Sequence, residues 1–244
     1  MCHGLALVLL CLLAVATAFA DGPATRPTTQ PSSPTTESTA KPFPAMRQWF
    51  AELASPDGEV RNEAMVNLMG LRADDLPALR KLVEETSPLA PEQFVALKQI
   101  VIHDFLAGEP YDAREGAGFL GIHLPGLSED ADAIVVNRLP GFIGERMLRD
   151  GDVILRILEQ PQVEIRRGGD LTTALSRFSA GQLVHLQILR QGHVIRVPVR
   201  LDPQPLEVSA TNRDLMDDFL FRRLERAQKY WDKHFADLVE ETVS

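Results

Sequence analysis

Leu148-Arg149-Asp150-Gly151-Asp152-Val153-Ile154-Leu155 is the stretch whose reading decides the fold. Gly151 and Asp152 signal a tight turn, and the Val-Ile-Leu run behind them reads as a short strand. Similar runs flank it on both sides. Residues 118–124, 132–139, 182–190 and 193–201 are short, rich in Val, Ile and Leu, and alternate in the last two. Arg190-Gln191-Gly192-His193 has the composition of a hairpin joining the final pair. One helical segment interrupts the strands, predicted to begin after Asp170 and to end before Gly181. Short strands closed by one or two helices predict a small, partly open β-barrel over residues 112–203.

Ahead of that module, Gly116, Gly118 and Gly121 crowd the approach to an apolar run. Glycine weakens a strand unless the backbone turns sharply or something approaches closely. The run is either a plain loop feeding a strand or a nest of backbone amides at the mouth of a groove.

The rest of the chain divides by composition. Residues 1–20 carry an apolar core from Leu5 to about Ala16 and end in Ala18-Phe19-Ala20, the small-x-small form of a signal-peptidase site. The reading is a cleaved signal peptide, with an uncleaved membrane anchor as the alternative; only an uncleaved segment would give contact with a membrane. Both cysteines, Cys2 and Cys11, fall inside it, so the processed protein has no disulfide and no cysteine metal site. Residues 21–44 are dominated by Pro, Thr and Ser and read as a disordered linker. Residues 45–108 show helical spacing in four segments. Met46, Trp49, Phe50 and Leu53 mark the first stripe, and Phe94, Leu97, Ile100, Val101 and Phe105 the last. Their phrasing loosely resembles HEAT-like helical hairpins, and a plain four-helix cap fits equally. Residues 211–240 read as a long amphipathic helix whose Leu215, Phe219, Leu224, Trp231, Phe235 and Leu238 seek a partner, the N-terminal helices first.

In order, the pieces resemble a PDZ domain of the bacterial kind found on HtrA-type proteases. The residues that carry this are Leu120-Gly121-Ile122, the Gly151-Asp152 turn, the helix after it and the Leu189–Gly192 hairpin. The likeness covers Glu115 to Asp202. It departs at Phe142 and Ile143, which are bulkier than the residues usual there. The fold class is therefore α+β: an N-terminal helical region, a PDZ-like partly open β-barrel with capping helices, and a long C-terminal helix.

The resemblance implies a site. Successive amides around Gly121 would capture a peptide's C-terminal carboxylate. Phe119, Leu120 and Ile122 would line the pocket for its last side chain. The edge running through Ile122, His123 and Leu124 would pair with the peptide as an added strand. Leu171 and Leu175 would form the opposite wall, an apolar stripe that fits core as well as groove, whereas Phe178 reads as core. Gly121→Val is expected to block the nest with the fold intact.

Other functions find little in the sequence. The six histidines are scattered, no nucleophile motif is present, and neither a catalytic residue nor a metal or other cofactor is expected. A net charge of −9 disfavours nucleic acid. The expectation is an exported, periplasmic or extracellular, non-enzymatic adaptor that binds protein C-termini or extended peptides. The alternatives are a structural subunit of an envelope assembly with a degenerate groove, or a regulatory partner of a separate protease.

Overall fold

In a computed structural model, residues 43–123, 135, 137–207 and 213–238 are described, all within one compact unit. The signal segment, residues 21–42 of the linker and Leu124 lie outside the described residues, whereas Phe43 and Pro44, read as the end of the linker, are the first residues of a helix. Four helices come first: α1 (Phe43–Glu52), α2 (Gly58–Leu68), α3 (Leu76–Thr86) and α4 (Pro91–Gly108). Asp57 caps α2 by accepting from the Glu59 amide, and Pro91 opens α4 where a missing N–H does no harm. A 3-10 turn at Ala73–Asp75 leads into α3. Met46, Phe50, Leu68, Leu79, Leu97 and their neighbours form one apolar cluster, as the spacing predicts. Phe94 is the exception: it lies on the exposed side of α4.

The strand module follows. Its elements are β1 (Ala113–Phe119), β2 (Ile122–His123), β3 (Asn137–Arg138), α5 (Ile143–Met147), β4 (Val153–Ile157), α6 (Gly168–Leu175), β5 (Leu183–Arg190), β6 (His193–Arg200) and β7 (Asp202–Pro205). All pairings are antiparallel: β1 with β7, β2 with β3, and β4-β5-β6 in order. Three small sheets replace the expected barrel, and no closed barrel forms among the described residues. Strand β7 was not evident in the sequence because Asp202-Pro-Gln-Pro205 lacks strand formers; proline is tolerated here at a sheet edge. Helix α6 starts two residues before Asp170, whose carboxylate reaches back to the amides of Arg166 and Arg167. It also stops at Leu175, well short of Gly181.

The Gly151-Asp152 turn ties the module together. Gly151 takes φ +88°, a left-handed conformation that disfavours any side chain. Asp152 is 1% exposed, and its carboxylate accepts from the Arg149 amide at 2.8 Å and from Arg190 Nε and Nη2 at 2.8 and 2.7 Å. The turn and the hairpin arginine, far apart in sequence, thus form one charge-assisted pair. Gln191 and Gly192, both at positive φ, close that hairpin.

The long C-terminal helix, α7 (Arg213–His234), packs where the sequence reading placed it, and further. Trp231 and Phe235 join the cluster of α1–α4, while Phe219 joins Leu139 and Phe142 of the strand module. Leu215 and Leu224, expected to be buried, lie exposed. Additional bonds join the helical and strand parts: Arg149 to both carboxylate oxygens of Glu59 at 3.0 Å, Arg146 Nε to the Val66 carbonyl at 2.8 Å, and His103 to Glu145 at 2.6 Å.

Candidate functional site

The three crowded glycines have separate reasons. Gly116, at φ +71°, sits inside the irregular stretch of the β1–β7 ladder between Arg114 and Gly118. A Cβ on Gly118 would meet Leu201 Cδ1 at 2.7 Å and the Phe178 carbonyl at 2.9 Å. Gly121 carries the chain from β1 into β2 at φ +69°.

The two carbonyls of this loop face one way. Leu120 O accepts from the Gly144 amide and Gly121 O from the Leu139 amide, both at 2.8 Å. In a trans peptide the N–H points opposite its carbonyl. The N–H groups of Gly121 and Ile122 therefore both point away from the 139–144 turn. The strand register agrees. Ile122 lies opposite Arg138 while the bond runs from Leu139 to Gly121, so the N–H and C=O of Ile122 face the edge away from β3. Among the described residues the Gly121 N–H finds no acceptor, although the residue is buried.

The side chains around the loop are divided. Leu120 is core, together with Leu171 (1% exposed) and Ala174, and Phe178 is core as well. Ile122 and Leu175 are half-buried at the margin of that same cluster. Phe119 is half-buried and packs elsewhere, edge-on to Phe142 at 5.1 Å. Successive strand residues point to opposite faces, so Phe119 and Leu120 do not line one pocket. Of the expected lining residues, Ile122 and Leu175 are half-buried beside the Leu120 cluster and Phe119 beside Phe142, and His123 sits half-buried opposite Asn137.

A second set, of which the sequence marked only Phe142 and Ile143 and only as unusually bulky, supports the loop from below. Phe142 is 1% exposed, and a Cβ on Gly121 would lie 2.1 Å from its own Cβ. Gly121→Val would therefore strike a buried side chain, and the expectation that the fold survives it is corrected. A Cβ on Gly144 would meet the Leu120 carbonyl at 2.4 Å. Glu145 accepts from the Gly141 amide at 3.0 Å and pairs with His103. Asp202 accepts from the Ile143 amide at 2.5 Å, and burial holds its carboxyl above the usual range despite that bond. Gly144 was the visible signal: a glycine inside a short helix costs stability and marks a close approach.

Among the described residues no group of His, Cys, Asp or Glu side chains is placed to hold a metal ion. No family model matches the chain, and no curated protein matches it. Solved structures similar to part of it include two of HtrA-type proteases. One is a variant of the HtrA-type protease AlgW with a decapeptide, at 24% identity and a TM-score of 0.34, covering 40% of this chain and 32% of that one. The other is the HtrA-type protease AlgW with a decapeptide, at 25% identity and a TM-score of 0.32, covering 46% and 35%. The chain spans about a third of the length of these solved chains.

Proposed function

We propose that this protein is an exported, non-enzymatic adaptor whose strand module captures the C-terminus or an extended segment of another protein. The observation that carries the reading is the pair of amides at Gly121 and Ile122, turned to one side while their neighbouring carbonyls are bound on the other. An N–H without an acceptor in the protein is left for one from outside, and a carboxylate oxygen supplies it with a charge-assisted bond. The outward-facing carbonyl of Ile122 is left to accept from the backbone of an added strand, and Ile122 with Leu175 offers apolar contact for a terminal side chain.

The test sets free-acid peptides against the same peptides amidated, on the full chain. Free acids are expected to bind at least tenfold more tightly, about 1.4 kcal/mol. Equal binding of both forms would rule out carboxylate capture. Binding of neither would favour a structural subunit with an inactive groove.

A further inference from the structure

The capture loop is held from outside its own sheet. Its two carbonyls are bound by Leu139 and Gly144, which bracket a turn whose centre is Phe142. The loop backbone rests directly on Phe142, leaving no room for a side chain on Gly121. Phe142 is in turn packed edge-on by Phe119 at 5.1 Å and by Tyr111 at 5.8 Å. Below it lies Arg223 of α7, whose guanidinium is 4.9 Å from the Phe142 ring, 5.1 Å from Tyr111 and 5.3 Å from Phe219.

Arg223 is an unusual residue for that place. It is 1% exposed, bonds the Leu106 carbonyl in the last turn of α4, and pairs with Glu109 at 3.3 Å. Its Nη1 has no hydrogen-bond partner among the described residues. Three aromatic faces around a desolvated guanidinium supply the remaining attraction. A buried charge held by one carboxylate, one helix end and three rings has little freedom to shift. Phe142, as one of those rings, is fixed by it.

We propose that Phe142 is the positioning residue of the capture loop and that Arg223 holds it in place, so that peptide capture depends on the terminal helix. This rests on the reading of Gly121 and Ile122 as the capture site. It implies that residues 112–203 alone lack part of what shapes their own site.

The test uses Arg223→Lys and Phe142→Leu in the full chain. Lysine keeps the charge but loses the planar face that stacks on the rings. Hydrogen exchange is read at the Leu139 and Gly144 amides, which report the two loop bonds directly, with Val184 and Ile188 as references in β5. Both variants are expected to speed exchange at Leu139 and Gly144 at least tenfold while the references hold. The preference for free-acid over amidated peptide is expected to fall severalfold. A general loss of stability would instead accelerate all four amides together and scale both peptide forms equally, and that result would overturn the proposal. So would unchanged exchange at Leu139 and Gly144 in both variants. If exchange rises as expected but the parent chain shows no preference for free acids, the positioning stands and the capture reading fails.

Discussion

Gly121 and Gly151 both hold left-handed backbone, but their surroundings differ. A Cβ on Gly151 would meet nothing within 4 Å, whereas one on Gly121 would collide with Phe142. Gly151→Ala is therefore expected to cost only the conformational term, roughly 1–2 kcal/mol. Gly121→Ala adds overpacking of typically about 1–3 kcal/mol. Denaturant unfolding of both variants checks the order, and equal losses would contradict the tight loop–Phe142 contact. Asp152→Ala removes the buried carboxylate from its pair with the partly exposed Arg190 and is expected to cost about 1.5–3 kcal/mol, the range for hydrogen bonds to a charged group. The two tyrosines give a pH signature. Burial pushes the Tyr111 phenol up to about 12 and raises Tyr230 as well. The unfolded phenol ionises near 10.0, so the native state binds the extra protons. Their contribution to stability is complete below pH 10 and declines as pH rises toward 12. Absorbance titration should show tyrosinate forming late in the native protein and at the ordinary pH in denaturant.

The elements themselves were largely legible, and the failures have physical causes. Helices α1–α4 and strands β4–β6 follow from spacing, caps and the Gly151 and Gln191-Gly192 turns, all local signals. Strand β7 carries two prolines and exists because β1 needs a partner, a long-range fact absent from its own residues. Phe142 was visible as too bulky for the resembling family. Its reason was not, since Arg223 lies about eighty residues away on another element. The alternation that separates Phe119 from Leu120 is a local signal, and the two side chains join different clusters accordingly. Helix α7 gives the test at this scale. Trp231 is buried among the residues of α1–α4, so Trp231→Ala is expected to cost about 3–5 kcal/mol. Phe221→Ala, on the exposed side of the same helix, should fall within about 0.5 kcal/mol of the parent.

At the scale of the whole molecule, the helical and strand parts share Arg223, the His103–Glu145 pair and the Arg149–Glu59 bridge. One cooperative transition is expected on heating, with helical and aromatic signals changing together; two separated transitions would show that the parts fold independently. That sharing is also why the site is best probed in the full chain. The central claim is that the Gly121 and Ile122 amides receive a carboxylate, and backbone amide shifts test it most directly. Titration with a free-acid peptide should move Gly121 and Ile122 first and furthest, downfield as their N–H groups gain an acceptor, and the amidated peptide should fail to do so. Shifts of equal size with both peptides, or shifts that leave Gly121 and Ile122 unmoved while the peptide binds, would contradict the account.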